Sequence, residues 1–126
     1  MPVQFSKSAV IEKNRIAIEA CDLSIDRLEE LGEKGLFADA EAERLVLVTR
    51  ATNTRTNLKQ INAHLRAAGT VMRPMADNVA KELNDLGNRL DQQIRNDLIL
   101  NAKIGFITSV LSDVNKLRAI INAHRA

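Results

Sequence analysis

Residues 28–47 read LEELGEKGLFADAEAERLVL, and this stretch decides the architecture. One helical seam enters it and another leaves it, with two glycines between. Gly32 and Gly35 offer the left-handed conformation in which helices commonly end, and Asp39 is a residue type that caps a helix start. The connector EKGLFAD is short. Two long helices joined so briefly must run antiparallel as a hairpin.

Toward the amino terminus, Ile11, Asn14, Ile18, Cys21, Ile25 and Leu28 recur at spacings of three and four, which stacks them on one face. Ser6 or Ser8 suits the cap, with Phe5 just outside as a hydrophobic staple. A first helix is expected over about 8–32. Beyond the turn, Leu47, Ala51, Thr54, Leu58, Ile61, Leu65 and Ala68 form a second seam that Gly69 closes. After Met72-Arg73-Pro74 a third seam runs Val79, Leu83, Leu86 and Leu90; proline is at home in a first helical turn. Gln93 and Asp97 then fall where apolar residues should continue, Asn96-Asp97 offers a new cap, and Ile107, Val110, Val114, Leu117 and Ile121 open a fourth seam.

The spacing predicts helices over about 74–94 and 98–124, hence an all-α, antiparallel up-down four-helix bundle forming a single domain over residues 1–126. The alternative is a helical hairpin plus one long C-terminal helix of about 50 residues. At 1.5 Å per residue that helix would reach about 75 Å and would need a dimer to cover it. Two short echoes, LEELG against LNDLG and INAH at 61–64 and again at 121–124, fit either a duplicated hairpin or chance.

Composition agrees with a soluble helical fold. Of 126 residues, 45% are apolar and 27% charged, and the only aromatic residues are Phe5, Phe37 and Phe106. Burial must then come from Leu, Ile, Val and Ala, which suits interlocking helices. One cysteine, Cys21, excludes an internal disulfide and fits a reducing compartment. No run approaches the roughly 18 apolar residues of a membrane span, and MPVQFSKSAV lacks the pattern of a secretory leader. A cytoplasmic location is expected.

Charge is distributed by segment. Residues 1–43 carry a net −5, residues 44–76 a net +6 with no acid at all, and residues 77–126 a net +1. On a helical wheel, Arg44, Arg55, Lys59 and Arg66 share a stripe beside the second seam, while Glu12, Glu19, Asp22, Asp26, Glu29, Glu30 and Glu33 flank the first. In an antiparallel pair these flanks meet, so Glu12–Lys59, Glu19–Arg55 and Glu29–Arg44 are expected as ion pairs that set register. Arg66 and Arg73 are left without partners and mark where a functional charge patch would lie. Asn14 and Thr54 both face inward and are expected to meet in a buried polar layer.

Catalytic signals are missing. No nucleophile motif, glycine-rich phosphate loop or metal-ligand spacing occurs, so no catalytic residue, metal or cofactor is expected. His64 and His124 sit near helix C-termini, where the helix dipole favours them. Cys21, among isoleucines, reads as a small core residue. The expected function is a non-enzymatic interaction module (an adaptor, regulator or chaperone-like protein) acting by protein–protein binding. Leu98, Ile99 and Phe106 lie in LILNAKIGFI, a segment with apolar residues on more than one side, which points to a homodimer contact. Candidate partner-binding residues are therefore Arg66, Arg73, Leu98, Ile99 and Phe106. Two alternatives stand beside this: nucleic-acid binding through the basic face of helix two, and an amphipathic lipid- or granule-surface protein. The first is disfavoured by the absence of Tyr and Trp stacking platforms.

Overall fold

A computed structural model describes residues 2–36, 38–67, 69–97 and 103–125, with Asp97 described by its backbone. Four α-helices follow one another: α1 (Lys7–Glu33), α2 (Ala38–Arg66), α3 (Asp77–Gln92) and α4 (Ile104–Ala123). A π-helical turn, Gln93–Asp97, extends α3. Lys103 is extended (φ −95, ψ 154) immediately before α4, so the C-terminal half is two helices and not one long rod.

Short backbone bridges fix the directions. Val3 pairs with Met75 and Met72 with Arg125. The starts of α1 and α3 therefore share one end of the molecule with the finishes of α2 and α4, which is up-down-up-down topology. Helices α1 and α4 each pack on the other three, whereas α2 and α3 scarcely touch.

The α1 seam keeps Asn14, Cys21, Ile25 and Leu28 inward, and differs from its sequence reading where Val10 and Ala17 take the places of Ile11 and Ile18. Val10, Asn14, Ala17, Cys21, Ser24 and Leu28 are buried, while Ile11 and Ile18 are only partly covered on the flank. A helix with three neighbours needs small residues inward so that backbones can approach, and Ala17, Ala20 and Ser24 provide that. On α3 the buried set is Ala80, Leu83, Leu86, Gly87 and Leu90. It continues to Ile94 within the π turn, so Ile94, not Gln93, carries the seam onward. Met72 and Met75, in the α2–α3 connection, plug the end of the core. Methionine suits such irregular gaps.

Several helix ends differ in detail from expectation. Ser6 caps α1, its Oγ accepting from the Ala9 amide at 3.2 Å. α2 already begins at Ala38, which places Asp39 in the first turn, where its charge favours the helix dipole. α3 begins at Asp77, so Pro74 lies in the connection before it. The expected start of the fourth helix at 98 falls outside the described residues. Gly35 (φ 80) and Gly69 (φ 83) hold the left-handed conformation. Gly32 instead remains helical, and a Cβ there would come within 2.5 Å of the Arg44 guanidinium. Its missing side chain lets Arg44 lie across α1.

Candidate functional site

Folding the three charge blocks into an antiparallel bundle sorts charge by end. The end formed by the starts of α1 and α3, the finishes of α2 and α4 and the α2–α3 connection gathers Lys7, Lys59, Arg66, Arg73, Arg118 and Arg125, with Asp77 in the first turn of α3 and Glu12 on α1 as acids at its border. Stretches 2–11, 59–76 and 118–125 contain no Asp or Glu. At the other end, about 40 Å away along the 27 residues of α1, stretch 26–43 holds Asp26, Glu29, Glu30, Glu33, Asp39, Glu41 and Glu43 against Arg27 and Lys34.

At the basic end the cations meet neutral acceptors. Lys7 Nζ donates to the Ala67 carbonyl and the Thr70 hydroxyl, each at 3.4 Å. Arg73 Nη2 donates to the Arg125 carbonyl at 3.0 Å, and Arg118 Nη1 to Asn57 Oδ1 at 3.2 Å. Arg125 donates to Asn122 Oδ1 and, at 3.0 Å, to Nδ1 of His64. His124 Nδ1 lies 2.7 Å from the Ile120 carbonyl and must donate there. The two INAH histidines thus meet at one end because α2 and α4 run parallel. Among the described residues, none of these six cations has a carboxylate within ion-pair distance, and the neutral acceptors hold four of them in place: Lys7, Arg73, Arg118 and Arg125.

A shallow groove of about 310 Å³ opens between α1 and α2 beside this end. Ile11 and Ile18 supply its apolar surface, and Lys59, Arg66, Arg15 and Glu12 its charged edge. Arg15 is occupied: it holds Glu12 at 2.7 Å and Glu19 at 3.3 Å, and its hydrogen bond keeps the Glu12 carboxyl below the usual carboxylate range. Among the described residues, Lys59 and Arg66 have no hydrogen-bond or ion-pair partner.

The expected cross-hairpin pairs do not form as drawn. Glu12 and Glu19 turn to Arg15 on their own helix, and Lys59 reaches neither. Arg55 does cross the hairpin, but to Asp22 Oδ1 at 2.8 Å, one turn from Glu19. Arg44 binds Glu41 within α2 and donates to the Leu28 carbonyl at 3.3 Å; Glu29 contributes through its charge alone. Local partners three and four residues away cost less side-chain ordering than long reaches between helices, which explains the substitution.

The Asn14–Thr54 layer is also re-partnered. Asn14 Nδ2 donates to Asn62 Oδ1 at 2.8 Å in a buried site, and Thr54 Oγ1 donates to Asn115 Oδ1 at 3.3 Å, tying α2 to α4. Asn62 and Asn115 had no signal of their own beyond amide chemistry on an inward face. Phe106 and Ile104 are half-buried against the core and Ile107 is fully buried; Leu98 and Ile99 lie outside the described residues.

Cys21 is fully buried, and burial, reinforced by the Asp22 charge, pushes its thiol up to about 12. Such a thiol is not a nucleophile at neutral pH. Among the described residues no cluster of His, Cys, Asp and Glu could hold a metal, and no helix is long and apolar enough to cross a membrane. The fold and site define an all-α antiparallel four-helix bundle with one end rich in Lys and Arg. No family model, curated protein or solved structure matches the chain.

Proposed function

We propose that this protein is a non-catalytic, cytoplasmic binding module whose basic pole docks an acidic protein surface. The observation that carries the reading is the convergence of six cations at one end of the bundle, four of them anchored on neutral acceptors and none ion-paired with a carboxylate among the described residues. Most are oriented by hydrogen bonds before any partner arrives, which lowers the ordering cost of binding. Acidic side chains would complete the charge-assisted bonds that this end lacks.

A second reading, nucleic-acid binding, is favoured by Lys59 and Arg66, which line the groove without an ion pair among the described residues while Glu12 there is held by Arg15. It is weakened by the lack of stacking surfaces: the Phe5 ring is covered by Lys13 Nζ at 5.7 Å, and Phe106 packs against the core. One experiment separates the two. Anisotropy titrations use fluorescent polyglutamate and a fluorescent single-stranded oligonucleotide of equal charge, at low and high salt. Polyglutamate binding that weakens at least about tenfold in Arg66→Ala/Arg73→Ala and falls with salt is expected. No binding of polyglutamate by the parent protein rejects the reading, and tighter binding of the oligonucleotide transfers it to nucleic acid.

A further inference from the structure

The chain carries both halves of an interface. Beside the basic pole lie Val71, 56% exposed, and Val3, 36% exposed; on the acidic half lie Leu45 and Val46, 52% and 59% exposed. These are the exposed large hydrophobic residues among those described. Cations surround the first pair, and the second lies at the edge of the acidic stretch, with Arg44, which Glu41 holds, and Arg50 beside it. Val71 is two residues from Arg73, in a connection without acids, whereas Leu45 and Val46 follow Glu41 and Glu43 on α2. The acidic half also has the concave surfaces. A groove of about 360 Å³ runs along Ala42, Val46 and Leu47 toward Thr108, with Glu43 and Arg50 at its edge, and another of about 440 Å³ lies at the α1–α2 turn over Leu36 and Ala40, beside Lys34.

The acids there are largely uncommitted. Arg27 takes Glu30 and Arg44 takes Glu41, while Asp26, Glu29, Glu33, Asp39 and Glu43 have no ion pair among the described residues. We infer that the partner of the basic pole is the acidic pole of a second copy of this chain, packed head to tail. The inference rests on the reading that this pole binds acidic protein surface, and it names that surface. Apolar side chains bury at the centre of the contact and opposite charges ring it, the usual anatomy of a specific interface. Because the two surfaces differ, the contact is heterologous. It leaves a free pole at each end and adds copies in an open chain instead of closing as a symmetric dimer.

Sedimentation velocity across a range of concentration and salt tests this, using two charge-reversed variants checked for unchanged helicity by circular dichroism. Arg66→Glu/Arg73→Glu blocks the basic pole, and Glu33→Lys/Glu43→Lys blocks the acidic one. The parent should form species that lengthen with concentration and dissociate as salt screens the poles. Each variant alone should be monomeric, and an equal mixture should form a dimer that stops at two, since it holds one intact pole of each kind. Milder Arg66→Gln/Arg73→Gln and Glu33→Gln/Glu43→Gln versions replace any variant that loses helicity. A parent that stays monomeric at low salt overturns the inference, as does a closed dimer insensitive to salt or a mixture that stays monomeric. Polyglutamate binding by the Glu33→Lys/Glu43→Lys variant reads the basic pole separately. If that binding persists while the parent never self-associates, head-to-tail packing fails and the acidic-partner reading survives. If polyglutamate does not bind, the broader reading fails as well.

Discussion

At the scale of single residues, burial decides which polar groups are structural. Asn14 is fully enclosed and Asn62 nearly so. Their mutual hydrogen bond satisfies one amide proton, yet Asn14 Oδ1 has no hydrogen-bond partner among the described residues. A buried pair of this kind specifies register more than it adds stability. Cys21 gives a sharper expectation. Its thiol is displaced by burial from an ordinary value of 9.0 to about 12, so the folded state holds the proton more tightly than the unfolded chain. The stabilising linkage is complete below about pH 9 and is lost as pH rises toward about 12. Urea midpoints should therefore fall between these values more steeply in the parent than in Cys21→Ala, which has no thiol to ionise. Equal slopes would show that the thiol does not couple to folding.

At the scale of elements, the ties between helices are asymmetric in a way that mutation can read. Arg89 Nε contacts Asp113 Oδ2 at 3.1 Å and links α3 to α4, with the arginine side chain 53% exposed and the aspartate 12%. Removing the aspartate leaves a guanidinium that water can solvate. Removing the arginine leaves a carboxylate enclosed by the bundle without its counter-charge. Arg89→Met should thus destabilise by about 1–3 kcal/mol and Asp113→Asn by clearly less, measured by urea unfolding. The reverse order would mean that Asp113 finds enough water or amide partners by itself. By contrast, Arg55–Asp22 has both partners well exposed (32% and 48%), and such a pair contributes no more than about 1 kcal/mol. It helps select the α1–α2 register without holding the hairpin together; the buried leucines do that.

At the scale of the whole molecule, two poles of opposite charge lie about 40 Å apart along α1. That separation exceeds the screening length of roughly 10 Å at 0.1 M salt, so attraction between poles does little for a monomer while repulsion within each pole persists. Lys59 and Arg66, which have no hydrogen-bond partners among the described residues, feel that repulsion directly. Lys59→Gln/Arg66→Gln should raise the urea midpoint over the parent at about 10 mM salt, and the advantage should vanish near about 0.5 M. An advantage unchanged by salt would indicate improved local packing and not relief of repulsion. Measured at concentrations too dilute for association, the same comparison shows whether the basic pole stores a cost that binding would remove.

The heptad spacings, the glycines at 35 and 69 and the shortness of EKGLFAD were enough to establish an antiparallel hairpin and to favour four helices, because those signals are local; the break before α4, at the extended Lys103, was decided by the structure. Seams ending in Leu28, Leu65, Leu90 and Ile121 needed only the periodicity of a helix to be recognised. Side-chain partners were not legible in the same way. Whether Arg55 reaches Asp22 or Glu19, and whether Asn14 meets Asn62 or Thr54, depends on helix rotation and axial offset, which small residues such as Ala17 and Ser24 set by letting α1 sink between three neighbours. The segment charges were visible along the chain, but only the tertiary arrangement turned them into two poles. Antiparallel packing brings residues from both termini and the middle connection to one end, and no local pattern records which distant residues share it.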